Sequence, residues 1–403
     1  MKAIYVEKHL PNMILTKVIS PLWPGFVWTP LSASRVAEFP DPPLPRSRWL
    51  RVKNDQCGIC ASDLSLLFVH ADPSVAPAAL PGVSRFYLGH EAVSVVIEVG
   101  PGVERFRVGD RVIMDTHFYG ANCHILEIDP PCPYCADGQP LFCLNKSKPG
   151  QTGIGGGFGD KYITHETAVY PVPESLSADQ AMMAEPAAIA VHGVLRCPPK
   201  PGDKVLVIGA GVIALLYVMA IRAICPQAEI SVLARYPHQK EMAKMFGAAH
   251  ILNDNASYQE IADVTGGHFF SAPLNKGIVT GGYDIVYDCV GTAKTTTDAL
   301  RWTRANGTVV MVGIHMAPMQ KVDLSLLWYH QVNLIGTYVH GMDTWNGQRK
   351  HTYEWVMDLF REKKLPVEDL ITHRFPYNDY KEAIRVATSK GREKAIKVTL
   401  ERK

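Results

Sequence analysis

The stretch Lys204-Val205-Leu206-Val207-Ile208-Gly209-Ala210-Gly211-Val212-Ile213-Ala214 decides the fold. The apolar run 204–208 reads as a buried strand. Gly209-Ala210-Gly211 reads as a tight turn, and the run 212–224 as a helix. A glycine turn between a strand and a helix aims the unpaired N–H groups of the first helical turn at an anion. Gly209 permits the turn, and Gly211 lets a pyrophosphate approach the backbone. Alone such a motif is weak. Its strand–turn–helix setting, with a second strand-like run at 229–233, makes it strong; the bland alternative is a plain strand–helix turn.

Downstream the alternation continues. Residues 238–246 read as a helix, 284–287 as a strand, 294–304 as a helix and 308–312 as a strand. This is the pattern of a doubly wound parallel sheet. The stretch 265–282 interrupts it and reads as an inserted loop. From about 344 the chain returns to a helix (353–362) and short strands. The end of the second strand reads Ile230-Ser231-Val232-Leu233-Ala234-Arg235. An NAD site usually places an acid there for the ribose hydroxyls. Ala234 removes that charge and Arg235 can pair with a 2′-phosphate, which predicts NADP(H) over NAD(H). The plainer reading makes Arg235 a solvated residue stacked on adenine.

Upstream the pattern is β. Residues 1–6, 49–52, 92–99 and 111–114 read as short strands with turns at Gly100-Pro101-Gly102 and Val108-Gly109-Asp110, which suggests a small barrel. Residues 20–47 carry seven prolines and read as an irregular surface excursion. Gly153 to Gly159 resembles a phosphate loop, but a strand (161–164) follows it, so it reads as a flexible turn. Ser177 caps an alanine-rich helix to Leu195, interrupted at Glu185-Pro186.

Composition bounds the rest. The 403 residues, 47% hydrophobic and 20% charged, suit an ordinary globular protein of two domains or one large one. The net charge of +2 and the lack of basic runs exclude nucleic acid as an expected partner. No stretch reads as a membrane span or as a signal peptide, so no membrane partner and a cytoplasmic location are expected. In a reducing compartment, clustered cysteines among the nine point to metal rather than disulfides.

Cys60-Ala61-Ser62-Asp63, Gly89-His90-Glu91 and Glu185-Pro186 offer a thiolate, an imidazole and a carboxylate. Catalytic zinc takes three such ligands and keeps one position open. Read in order, GICASDL (58–64), GHE (89–91), VGD (108–110), AEPAAIAVHGV and the glycine turn resemble the zinc-dependent medium-chain dehydrogenase/reductase family, of the alcohol and sorbitol dehydrogenase type. The resemblance covers nearly the whole chain except 20–47 and 265–282. It implies an α/β protein: a GroES-like β-barrel catalytic domain (1–189 and 344–403) plus a Rossmann domain (190–343).

The resemblance further implies catalytic zinc on Cys60, His90 and Glu185, with Glu91 beside the metal. Asp63 would orient His90, and Ser62 would pass on the alcohol proton. Ser65 stands where some relatives have a relay histidine, so the end of the relay stays open. Gly209, Gly211, Val212, Ile213, Ala234, Arg235 and Gly313 would bind the cofactor. Cys57 would be a strand residue rather than half of a redox pair. A structural zinc would use Cys132, Cys135 and Cys143, with Asp129 at the first ligand position. Cys123 is another candidate at a different spacing, and an empty lobe of reduced thiols is the alternative.

The implied reaction is reversible oxidation of an alcohol with NADP. The glutamate ligand favours polyols. Phe118, Tyr119, Trp328 and Tyr338, or Phe68, Trp23 and Trp28 as a cover, would instead favour apolar or aromatic alcohols. The alternatives are a zinc-free enone or quinone reductase and a non-catalytic NADPH-binding protein. Homodimers or homotetramers, joined along the sheet edge near 308–340, are also implied.

Overall fold

The computed structural model describes residues 1–72, 74–75, 84–115, 122–146, 154–314 and 316–402. Its contacts divide it into two compact units, 1–185 with 367–403 and 186–366. No helix among the described residues is long and apolar enough to cross a membrane.

The first unit is β-rich. Strand β1 (Lys2–Glu7) pairs on one side with β2 (Ser34–Glu38) and on the other with β4 (Arg85–Tyr87). Between β1 and β2 runs helix α1 (Leu10–Ile19). The stretch 20–47 is therefore not wholly irregular: residues 34–38 alternate well enough to complete a strand, despite the prolines around them. The larger sheet centres on β3 (Trp49–Gly58), which pairs with β5 (Glu91–Val99), with β7 (Lys161–His165) and with the C-terminal β20 (Lys397–Glu401). Strand β6 (Arg111–Met114) extends it beyond β5. Alternate residues of β3 and β5 fill one apolar core with Leu50, Val52, Val96, Tyr162 and Leu400.

Of the stretch 153–159, Gly153 lies outside the described residues, and the run 155–159 is a packed turn. It is buried, and Gly157 N–H donates to Gly89 O at 2.7 Å while Phe158 N–H donates to Leu88 O at 3.1 Å. A side chain at Gly157 would strike the Cys57 sulfur. The run thus braces the turn that carries His90.

Helix α4 (Ala178–Arg196) starts with a reciprocal cap: Ser177 Oγ accepts from Gln180 N–H, and Gln180 Oε1 accepts from Ser177 N–H, each at 3.1 Å. Pro186 does not interrupt it. The helix runs through the proline, and the division between units falls at this point.

The second unit holds a six-stranded sheet in the order β11-β10-β9-β14-β15-β16. The strands are β9 (Lys204–Ile208), β10 (Glu229–Ala234), β11 (His250–Asn253), β14 (Tyr283–Asp288), β15 (Thr303–Met311) and β16 (Asn333–Gly336), all parallel. The near-continuous apolar runs of β9, β10 and β14 fit strands buried on both faces. Helix α5 (Val212–Ile224) follows β9 directly.

The 265–282 insertion is a hairpin rather than a loop. Strands β12 (His268–Ala272) and β13 (Asn275–Thr280) pair antiparallel. Phe269 and Ile278 pack on the unit's core, and Arg301 donates to Gly277 O at 3.0 Å.

Residues 344–366, expected with the catalytic domain, fall in the second unit. The cause is local. Asp343 accepts from Thr352 Oγ1 at 2.6 Å, its backbone oxygen accepts from Trp355 Nε1 at 3.2 Å, and His192 Nδ1 contacts its carboxylate at 2.9 Å. These bonds tie the segment to the second half of α4.

Candidate metal and dinucleotide sites

Cys60 ends the loop after β3 and is the cap of helix α2 (Ala61–Leu67). Its backbone N–H donates to Asp63 Oδ2 at 3.2 Å. The other oxygen, Oδ1, accepts from Gly89 N–H at 2.9 Å and contacts His90 Nδ1 at 3.2 Å. One buried carboxylate therefore joins the two motifs, and it leaves His90 Nε2 facing elsewhere. Gly89 sits at φ +86°, a conformation only glycine adopts freely, so the turn places His90 through its backbone.

The ligand atoms of Cys60, His90 and Glu91 lie within 4.8 Å of one another. Ser62 Oγ is 3.5 Å from His90 Nε2. Ser65 stands one helical turn further on, and its backbone oxygen accepts from His70 N–H at 2.9 Å.

The two glutamates differ in what they touch. Glu91 is paired with Lys397, whose Nζ lies 2.7 Å from Oε1 and also contacts Oε2; both side chains are buried. Gly58, register partner of Glu91, has no room for a side chain because the Glu91 carboxylate occupies that space. Glu185 stands outside the three-residue group. It is buried, and its Oε2 has no hydrogen-bond partner. Burial raises its carboxyl to about 8, with Glu91 adding to the rise and His90 opposing it. The Cys60 thiol and the His90 imidazole, with a buried unpartnered carboxylate oxygen that feels the charge of His90, are donors of the kinds that fit a cation such as zinc.

Lys397 was not legible in the sequence. It lies 306 residues from Glu91, and no local motif links them.

A second group gathers Cys123, Cys132, Cys135 and Cys143, again within 4.8 Å. Asp129 is not among them; it is exposed at the surface. Cys123 therefore takes the fourth place. The turn after Asn122 coils back, with Ile128 N–H donating to Cys123 O at 2.8 Å, and this absorbs the longer spacing. Amide groups point at the sulfurs: Cys132 N–H at 3.3 Å and Asn145 Nδ2 at 3.1 Å from Cys123, and Asn145 N–H at 3.3 Å from Cys143. Backbone donors bring the Cys132 thiol down to about 6, while burial pushes Cys135 up. Four sulfurs so arranged suit a closed tetrahedral site. Cys57 lies on β3, buried, with its thiol pushed up by burial, which suits a core residue.

In the second unit, Gly209 has φ +102° and Gly211 caps α5. Nothing lies within 4 Å of where a side chain at Gly211 would stand. Val212 and Ile213 open α5, and the helix N-terminus is free to take a pyrophosphate. Gly313 follows β15; its N–H donates to Asp288 O at 2.8 Å, and a side chain there would strike the backbone of Cys289 and Val290.

Ala234 is buried at the end of β10, and Arg235 is 67% exposed just beyond it. Arg235 Nε donates to Asp254 Oδ2 at 2.6 Å. Asp254 follows β11, the neighbouring strand, so an acid reaches this corner from outside the β9–α5–β10 unit.

The aromatic residues weighed as pocket walls separate. Phe68 is core, Trp28 packs edge-on against Tyr380, and Trp328 is 83% exposed. Phe118 and Tyr119 lie outside the described residues.

Comparison with known proteins agrees with both halves of this description. Residues 46–174 match the alcohol dehydrogenase GroES-like domain, and residues 212–362 match the zinc-binding dehydrogenase family. The chain is 28% identical over 352 residues to L-idonate 5-dehydrogenase of Vitis vinifera, covering 87% of each protein. It is 30% identical over 275 residues to (R,R)-butanediol dehydrogenase of Bacillus subtilis (strain 168), covering 66% of this chain and 70% of the relative. Among solved structures, zinc dependent alcohol dehydrogenase 2 from Streptococcus pneumonia superposes with a TM-score of 0.74 at 23% identity, over 100% of this chain and 98% of that one.

Proposed function

This chain belongs to the zinc-dependent medium-chain dehydrogenase/reductase family, and on that premise we propose that it oxidises a polyol or vicinal diol reversibly at a secondary carbon, using zinc and preferring NADP(H). The observation that carries the reading is the Cys60–His90 pair, whose ligand atoms lie within 4.8 Å of each other, with the buried Glu185 carboxyl close enough to feel the charge of His90. The unpartnered Oε2 of Glu185 finds a natural partner in a cation. Glu185 rather than Glu91 is the third ligand, because Lys397 already holds Glu91.

Bound there, zinc supplies a Lewis acid that lowers the pKa of an alcohol hydroxyl toward neutrality. The nicotinamide supplies the hydride acceptor. The chain's residues do the rest. Asp63 fixes the ring of His90 through Nδ1, so that Nε2 is the ligating nitrogen. Ser62 Oγ accepts the alcohol proton and gives its own onward to solvent. The carbinol carbon loses a hydride and the oxygen loses a proton, leaving a carbonyl. Gly209, Gly211 and the start of α5 take the pyrophosphate.

The polyol assignment rests on the relatives, which include the idonate and butanediol dehydrogenases, and on a carboxylate ligand in place of a second thiolate. The NADP preference rests on Ala234 and Arg235. A homodimer or homotetramer along the edge of β16 and a cytoplasmic location belong to the same proposal. The Cys123, Cys132, Cys135 and Cys143 group holds a second zinc.

The test is NADP⁺ reduction by the purified protein against polyols, vicinal diols, 3-hydroxy amino acids, and aliphatic and aromatic alcohols. Turnover confined to diols and polyols is the expected result. Turnover only on aromatic alcohols removes the substrate assignment, and equal or better use of NAD⁺ removes the NADP preference.

A further inference from the structure

The middle of a β-strand is a poor place for asparagine, whose amide competes for the backbone's own bonds. Strand β3 nevertheless buries Asn54 completely, and its register partner on β5, Ser94, is equally buried. A buried amide costs free energy unless its donors and acceptor are used. Here all are used. Ser94 Oγ donates to Asn54 Oδ1 at 2.8 Å, and Asn54 Nδ2 donates to Gly156 O and to Gly159 O, each at 3.0 Å. Carbonyls only accept, so the two of them fix which side of the amide is nitrogen. The backbone is held as well: Asn54 N–H donates to Asp160 O at 3.0 Å, and Asn54 O accepts from Arg402 Nε at 2.9 Å.

The strand register sets this residue against the glycine run. Asn54 pairs with Ser94 and Gln56 with Val93, so Asp55 is an extra residue on β3. Such a bulge re-aims the side chains beside it. Beyond it Gly58 comes opposite Glu91, and Cys60 follows two residues later.

From Asn54 the contacts run without a gap to His90. Its amide closes the turn 156–159, in which Gly159 N–H also donates to Gly156 O at 3.0 Å. The N–H groups inside that turn, of Gly157 and Phe158, hold Gly89 O and Leu88 O. Space is as tight as the bonding: a side chain at Gly156 would strike Leu88 O, and one at Gly89 would strike Phe158. Asp63 takes the Gly89 N–H from the other side. The two peptides that lead into His90 are therefore gripped at an N–H by Asp63 and at both carbonyls by the turn that Asn54 closes.

We propose that Asn54 is a positioning residue for the catalytic metal: by closing the turn 156–159 it fixes the backbone that presents His90. The inference rests on the reading of Cys60, His90 and Glu185 as a zinc site. Asn54 acts through the turn, not on a ligand. Without its amide two glycine carbonyls lose a donor, the turn loosens, His90 leaves its place more often, and the metal escapes faster. The four-cysteine group takes no part in this chain of contacts.

The experiment uses the full chain with cobalt(II) in place of zinc, in wild type, Asn54→Leu and Ser94→Ala. The variant Cys60→Ser marks which d–d and thiolate-to-metal bands belong to the Cys60 site. Release of cobalt to a chelator is followed in those bands. Asn54→Leu is expected to release the metal of the Cys60 site about tenfold to hundredfold faster, the range found when a group that orients a metal ligand is removed, and to shift its bands. Release from the four-cysteine group is expected to keep the wild-type rate. Should Asn54→Leu not fold, Ser94→Ala carries the test: it removes only the hydroxyl that holds Oδ1, and an acceleration of about threefold or more is expected. Bands and release at the Cys60 site unchanged in the variant that folds overturn the proposal. So does equal acceleration at both metal groups, which assigns Asn54 to general stability. A wild type without any band that Cys60→Ser removes overturns the zinc reading itself, and the proposal with it.

Discussion

Replacing Lys397 by methionine removes one half of a buried ion pair. Lys397 Nζ touches both oxygens of Glu91, and the two side chains are 0% and 1% exposed. A carboxylate stranded at that depth keeps its desolvation cost and loses its partner. Breaking such a pair from one side costs about 3–5 kcal/mol. Replacing both members by apolar residues of similar volume is close to neutral, or stabilising by about 1–4 kcal/mol. The structure therefore predicts a strong asymmetry. Lys397→Met should lower the melting temperature by about 6–20 °C, taking about 2–4 °C per kcal/mol for a unit of this size. Glu91→Leu combined with Lys397→Met should recover most of that loss. The assay is thermal and urea unfolding of zinc-depleted wild type, both single variants and the double variant, read as a double-mutant cycle. A melting point for Lys397→Met within about 2 °C of wild type, or a double variant no better than the single, refutes the reasoning.

The remaining predictions concern the sites and pH. Cys123→Ser should lower bound zinc by one ion per chain in elemental analysis, while Asp129→Asn should leave it unchanged, because only Cys123 stands with the other three sulfurs. Arg235→Ala should weaken NADP⁺ binding at least about tenfold with little effect on NAD⁺. Asp254→Asn should tighten NADP⁺ by about threefold to tenfold, since it removes a carboxylate that competes for the same guanidinium; titration calorimetry reads both. Burial holds the imidazole of His165 down at about 4, so the folded state prefers it neutral. Its contribution is full above the unfolded value of about 6.5 and is lost as pH falls from there to about 4. Urea midpoints measured across that window should fall for wild type and fall less for His165→Phe.

The cofactor unit was the more legible half of the chain. A strand buried on both faces reads as a continuous apolar run, so β9, β10 and β14 announce themselves. The glycines at 209 and 211 then leave little choice about the turn. The hairpin at 268–280 is not legible because its strands sit at the surface and alternate poorly, with Phe270 exposed and the glycines at 277, 281 and 282 reading as loop. Residues 34–38 were hidden by the prolines on either side.

In the candidate metal site, Cys60, His90 and Asp63 are legible because each stands in a short motif. Lys397 and Asp254 are not, because only the sheet brings them to Glu91 and Arg235. The spacing that points to Asp129 misleads for a related reason. A fixed spacing assumes a fixed loop, and the turn at 122–128 takes up extra residues before returning Cys123 to the other thiols.

The central claim is that the Cys60, His90 and Glu185 constellation holds a zinc that turnover requires. It is tested most directly by measuring diol oxidation with NADP⁺ alongside zinc content, before chelation, after chelation and after zinc is returned, in wild type and in Glu185→Ala. The account predicts loss of turnover with loss of the catalytic zinc, recovery when zinc is restored to wild type, and no recovery in Glu185→Ala. Full turnover in protein stripped of that zinc, or in Glu185→Ala with normal metal content, would contradict it.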